Sequence, residues 1–471
     1  MGWRNKSALA AAAIVGAIAF GAPVFADTLE SALAYAYANN PQLNAQRALV
    51  RATDENVATA VSGYRPKASI TANAGFQSLS SRIREIGSTT PINAPPSYFT
   101  QSGTNAPRGV GATVTQTLFN GFQTSNRTRL AEGQVFSARE TLRNIEQTVL
   151  LNAATAYMNL LRDAGILELQ RSNLEVLTEQ LRQTKLRLES GNVTATDVSQ
   201  SESRLAVGRT QVYAAEANYE SSKAVYRQVI GLEAGKLAPA APVDRYSPRS
   251  LADAIAVAVA NHPNVATAQH NVDVAALQVK VAEGALYPTL TVQGTVQRNL
   301  DTSLTALDNF NATVSGLLSI PVYQGGAEYA AIRQAKETQS QRQMDLSTAR
   351  DQVRMSATQA WAQLEAAKSS IESTKRQVAA AEAALNGVRE EARLGQRTTL
   401  DVLNAQQELV NARVAMVSAQ RDRLVNSYSL LASVGRLSPA VIGLPGPSYD
   451  PIVHYHQIRD AWVGVRTPDG R

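Results

Sequence analysis

Few groups in this chain of 471 residues could do covalent or metal chemistry. It has no cysteine, which excludes a disulfide framework, a thiolate metal site, a cysteine nucleophile and a lipidated N-terminal cysteine. Its four histidines, His262, His270, His454 and His456, are scattered, and the pair His454-x-His456 would need further ligands that are not evident. No Gly-x-Ser-x-Gly, P-loop or Gly-x-Gly-x-x-Gly motif is present. Glu390-Glu391 stands beside Arg389 and Arg393 and reads as a solvated helix face, and the aromatic residues are few and scattered, outlining no substrate pocket. A net charge of +6 is too mild and dispersed to argue for nucleic acid. Neither metal nor cofactor is expected, and an enzyme is the least expected class.

The polar residues with informative spacing are Thr194-x-x-Asp197 and Thr398-x-x-Asp401. Both fit a capping pattern at a helix start, where an acidic side chain also favours the positive end of the helix dipole. Capping alone accounts for both aspartates. It does not account for Arg397, because a cation next to a helix N-terminus is unfavourable there and calls for a nearby carboxylate.

The elements that must carry these residues are repeated. Leu29–Pro41 lies over Leu251–Pro263 at an offset of 222, which holds without a gap to Pro66 and Pro288. Leu118-Phe-Asn-Gly121 then lies over Val322-Tyr-Gln-Gly325 at an offset of 204, and so do Gly191 over Gly395 and Asp197 over Asp401. The difference of 18 residues is an insertion in the first half, within the Ser/Thr/Pro-rich stretch 77–108. The expected organisation is a signal peptide over 1–26, a first repeat over 27–237, a linker over 238–250 and a second repeat over 251–436. A tail over 437–471, distinctive for Trp462 and two histidines, is expected to be disordered.

The signal rests on basic Arg4 and Lys6, an apolar core from Ala8 to Phe20, and Val24-Phe25-Ala26 before the cleavage point. About 15 apolar residues are too few to span a bilayer, which takes about 20. Within each repeat the helices are expected to be very long. No proline lies between Pro107 and Pro239 or between Pro321 and Pro439, and the helical pattern runs from Thr124 to Ser190. That is about 100 Å at 1.5 Å per residue. Leu160, Leu167, Leu174, Leu181 and Leu188 recur every seventh residue, matched by Leu364, Ile371, Val378, Leu385 and Ala392. A seven-residue period implies supercoiled helix packing.

Four short segments instead alternate with period two: 68–77, 109–119, 289–298 and 312–322. One face is apolar, as in Ile70, Val114, Val296 and Val314; the other is Thr, Ser, Gln, Asn and Gly without charge. This is the pattern of outer-membrane barrel strands. A soluble hairpin packed on a helix would bury the same face. Four strands cannot close a barrel, since bacterial barrels begin at about eight, so the barrel reading requires several copies of the chain.

The signal peptide, the twofold repeat of strand pairs and long helices, and the paired Gly191…Asp197-Val198 and Gly395…Asp401-Val402 motifs together resemble the TolC family of outer-membrane efflux and secretion ducts. The resemblance spans about residues 27–436. It implies a mainly α fold with β: a periplasmic α-barrel of long helices, and four transmembrane strands per protomer completing a twelve-stranded barrel in a homotrimer. It also implies passive export in a Gram-negative outer membrane, for multidrug efflux or type I protein secretion. The implied partners are outer-membrane lipid, a periplasmic adaptor and an inner-membrane RND or ABC transporter.

Carried over by position, the resemblance makes 191–197 and 395–401 the two hairpin tips, with Gly191, Thr194, Thr196, Gly395 and Thr398 expected at the adaptor. Arg397 falls on a basic gate residue, Asp197 on the carboxylate it constrains and Asp401 on an acidic ring facing the lumen. Two departures stand out: Ala392 occupies the position of a gate tyrosine, and Asn404 that of a second acidic ring. They imply a less tightly latched and less cation-selective gate. The alternatives are a barrel-anchored coiled-coil surface adhesin, disfavoured because the strands are split between the repeats, and a general porin, which needs no long helices.

Overall fold

The structure, a computed structural model, describes residues 28–84, 98–304 and 306–468. The signal expected over 1–26 lies outside them. The first repeat opens with α1 (Leu29–Asn39) and α2 (Pro41–Val61), and the second with α5 (Leu251–Asn261) and α6 (Pro263–Glu283). Each pair is broken at one residue, because the proline that follows pushes it into extended backbone. That residue then caps the next helix: Asn40 Oδ1 accepts from Gln42 N and Leu43 N at 2.9 and 3.2 Å, and His262 Nδ1 accepts from Asn264 N at 3.1 Å.

The long helices are α3 (Gln123–Glu189) and α7 (Ala327–Arg393), of 67 residues each. They return as α4 (Ala195–Ile230) and α8 (Thr399–Ser433). Asn40 Nδ2 donates to Val229 O at 3.2 Å, so α4 ends where α2 begins and the two run end to end beside α3. In the same way α6 and α8 flank α7, and α8 also packs on α3.

The heptad leucines are half legible in the burial. Leu160 and Leu364 are sealed in the main core, Leu167 and Leu385 lie in small satellite clusters, and Leu188 is exposed near the tip. The core therefore sits midway along the rods, where α1, α5 and the ends of α4 and α8 surround α3 and α7. It includes Leu437 and Ile442, so the stretch that follows residue 436 is packed on the core where disorder is expected from the sequence. Two short helices, α9 (Pro439–Ile442) and α10 (Ile452–Ile458), continue it, and α10 lies on α2. There His454 Nδ1 meets the fully buried carboxylate of Asp54 at 3.1 Å.

Strands β1 (Lys67–Ala74), β4 (Arg108–Asn120), β5 (Thr289–Leu300) and β6 (Asp308–Ser319) form one antiparallel sheet in the order β1-β4-β5-β6. The strand pairs of the two repeats are thus joined side by side. β6 begins before the expected 312 and ends before Pro321, which has no N–H for the ladder. Within the expected insertion two more strands appear, β2 (Gln77–Arg84) and β3 (Tyr98–Asn105), paired as a separate ribbon. The ribbon is tied to the β5–β6 turn, where Asn105 Nδ2 donates to Asp301 O and Ala106 N to Asp301 Oδ2, both at 2.8 Å.

Candidate functional site

The two tips have one backbone. In each, the glycine lies in the left-handed region, with φ of 74° at Gly191 and 75° at Gly395. The following amide folds back on the helix, Asn192 N to Arg187 O and Gln396 N to Glu391 O, each at 2.9 Å. Left-handed glycine caps of this kind satisfy the last carbonyls of a helix. The next helix then starts with a full reciprocal cap. Thr194 Oγ1 accepts from Asp197 N at 3.3 Å while Thr194 N donates to Asp197 Oδ2 at 2.9 Å. Thr398 and Asp401 repeat this at 3.2 and 2.9 Å. Hydrogen bonds from the threonines hold both carboxyls below their usual range.

Both aspartates are therefore helix caps, as their spacing predicts. Within the chain Arg397 Nε donates to Glu391 Oε2 at 2.9 Å, so its partner in the same chain is Glu391 and not Asp197. That carboxylate raises the Arg397 pKa, with Asp401 adding a weaker pull. Glu391 is a tip residue whose place in sequence, beside Glu390 and Arg389, is that of a solvated helix face. The glycine turn folds Arg397 back over the last turn of α7, a reversal six residues long that helical spacing does not show.

Asn404, at the place of the second acidic ring, accepts from Arg204 Nη2 at 2.7 Å and joins α8 to α4. Beneath it Leu403 packs with Leu177 and Leu205, and Gln406 Nε2 donates to Asn173 Oδ1 at 3.2 Å. The two hairpins are held together close to their tips. Thr196 is exposed on the first turn of α4. Among the described residues no group of three His, Asp or Glu side chains could hold a metal ion.

At the other end of the rods, register decides the faces of the sheet. Ile70, Ala112, Val296 and Ala312 stand in one row across the strands, and Ala68, Val114, Gly294 and Val314 in the next. Residues paired across strands share a face. The opposite face carries Thr71, Gly111, Gln297 and Asn311, then Ser69, Thr113, Thr295 and Thr313. Ile70 and Val314 are each 81% exposed, so the apolar face is uncovered within the chain. No helix is long and apolar enough to cross a membrane, among the described residues.

The aromatics that look scattered in sequence gather here. Tyr64, Phe122, Tyr287 and Tyr323 stand at the four junctions where strands meet helices, all half exposed or more. Phe76 and Phe310 lie at the far end of the sheet, and Tyr98 and Phe99 at the tip of the β2–β3 ribbon beyond it. The four junction aromatics form a helix-side girdle at the edge of the apolar band, as membrane strands carry.

Comparison with known proteins agrees with this geometry. The family model described as outer membrane efflux protein matches residues 32–232 and 254–436, one segment in each repeat. The chain belongs to the outer membrane efflux protein family. The outer membrane efflux protein BepC of Brucella suis biovar 1 (strain 1330) is 40% identical over 469 residues, covering 99% of this chain and 98% of that one. The outer membrane protein TolC of Escherichia coli (strain K12) is 26% identical over 314 residues, 63% of each chain. In fold, the solved structure of CusC superimposes with a TM-score of 0.73 at 16% identity, covering 88% of this chain and 92% of the other. The resemblance to the TolC family holds, and the chain is an outer-membrane export channel of that family. The adhesin and porin alternatives are not favoured.

Proposed function

We propose that the working unit is a homotrimer in which three four-stranded sheets close one twelve-stranded barrel and the long helices enclose a tunnel through the periplasm. The observation that carries this is the sheet itself, which ends in two unpaired edges, β1 and β6, and has an uncovered apolar face. Open edges attract further strands, and closing them is the stable solution within a bilayer. The polar face, charged among the described residues only at Lys67 at the start of β1, then lines an aqueous passage. The chain does no chemistry of its own: drugs or secreted protein pass through it, and an inner-membrane RND or ABC pump supplies the energy through a periplasmic adaptor.

The adaptor engages the tips at Gly191, Thr194, Thr196, Gly395 and Thr398. Asp197, Arg397 and Asp401 constrict the periplasmic mouth, with Arg397 reaching Asp197 of a neighbouring protomer when the mouth closes. Support comes from the exposure of Arg397 at the tip and from the shared geometry of the two tips. In a planar bilayer the purified protein should run as a trimer with small, mostly closed conductance. A monomer without conductance would overturn the proposal. A deletion strain tested for both drug sensitivity and loss of a secreted protein assigns the cargo.

A further inference from the structure

The tail accounts for residues that the duct does not need. Tyr449 N donates to Tyr37 Oη at 3.3 Å, His454 meets Asp54 at 3.1 Å, and Arg459 lies 3.6 Å from Glu132. Arg65 Nη1 then donates to Ala461 O at 2.6 Å. The partners are Tyr37 on α1, Asp54 on α2 and Arg65 between α2 and β1, so the tail runs alongside α2 from the core to the mouth of β1. Twenty-one helical residues make this a climb of about 30 Å.

At the top, the Arg65 guanidinium lies 4.6 Å from the centre of the Trp462 ring. Arg65 stands two residues before β1 and directly after Tyr64, so Trp462 joins the helix-side aromatic girdle. Trp462 is 69% exposed and Val463 94%, and Val465 is fully exposed. Three apolar side chains within four residues are thus left in the open at the level where the apolar face of the sheet begins. Arg65 lies on the Trp462 ring, Lys67 follows it at the start of β1, and Arg459 and Arg466 flank the three apolar residues in sequence, with Asp460 and Asp469 as the acidic residues of that stretch. Tryptophan prefers the headgroup level of a bilayer, and clustered basic residues favour anionic lipid.

We infer that Trp462, Val463 and Val465 seat in the periplasmic leaflet of the outer membrane, among anionic phospholipid headgroups, and that the tail is a second membrane contact beside the barrel. This rests on the barrel reading of the sheet. A competing occupant is a second copy of the chain: closing β6 onto β1 between copies brings the exposed Ile320, Val322 and Tyr323 at the foot of β6 toward this end of β1, where they would cover the patch in place of lipid.

The test uses the full chain in phosphatidylethanolamine–phosphatidylglycerol vesicles, with or without bromine at carbons six and seven of the acyl chains. Trp462 is read as the emission difference between the parent and Trp462→Phe, which cancels the other tryptophans. The difference emission is expected to be blue-shifted and to lose roughly half its intensity in brominated lipid, as an interfacial ring would. A Val314→Trp, Trp462→Phe variant reports on the apolar face of the sheet. If Val314→Trp is quenched and Trp462 is not, the inference falls and the barrel stands; if neither is quenched, the barrel reading falls with it. Because the chain has no cysteine, a disulfide between Val463→Cys of one copy and Val322→Cys of another would also overturn it, in favour of the second copy.

Discussion

Arg397 Nε donates to Glu391 Oε2 at 2.9 Å, across the glycine turn that ends α7. One chain thus satisfies at its own tip the cation that the gate proposal would send to Asp197 of a neighbour. The two carboxylates compete for one guanidinium. Arg397→Ser is expected to raise the closed-state conductance in a planar bilayer, and Glu391→Gln to lower it by leaving Arg397 free for the neighbour. Unchanged conductance in Arg397→Ser would remove Arg397 from the gate while leaving the duct intact.

His262 and Asn40 do the same work in the two repeats, but only the histidine titrates. Burial and, secondarily, the charge of Arg143 push its pKa below the ordinary 6.5, as its role as an acceptor requires. A depressed folded pKa means that the unfolded chain binds the extra proton first. Stability from this site is therefore complete above 6.5 and is lost as the pH falls toward the lowered folded value. Thermal melts from about pH 8 to about pH 5 should show this loss in the parent. His262→Asn, which copies the cap of the first repeat, should flatten it.

Gly395 and Gly435 share φ of 75° but not their surroundings. Nothing lies within 4 Å of a Cβ built at Gly395, whereas at Gly435 it would stand 2.7 Å from the His262 backbone. Gly395→Ala should cost about 1–2 kcal/mol of local strain, the usual left-handed penalty. Gly435→Ala should cost clearly more, because the α8 end must also move off the α5–α6 break. Denaturation midpoints of the two variants give the comparison, and equal losses would contradict it.

Asp54 is fully buried, and His454 is its hydrogen-bond partner, with Arg139 farther off at 3.8 Å. Removing the imidazole leaves the carboxylate under-satisfied, at about 1–3 kcal/mol. His454→Ala should release the tail beyond Tyr449 to limited proteolysis without loss of the rods. Asp54→Asn, which keeps a hydrogen-bonding group at that position, should release it less.

Much of this fold was legible in the residues. Proline-free runs and heptad leucines give rods of the observed 67 residues, because a helix continues until something breaks it. Period-two alternation places the four sheet strands, because strand faces alternate by geometry. The aspartate caps at both tips follow from Thr-x-x-Asp spacing alone. All of these are local, and local periodicity is written in consecutive residues.

Contacts between distant segments were decided by the tertiary structure. The partner of Arg397 depends on a chain reversal. The helix-side girdle forms only when four junctions, far apart in sequence, arrive at one level. The tail reads as disordered in sequence because its partners, Asp54 and Arg65, stand some four hundred residues earlier. From the sequence came the periods and the caps, which cost energy to violate anywhere in the chain. Which charges, rings and edges meet was set by how the two repeats pack side by side.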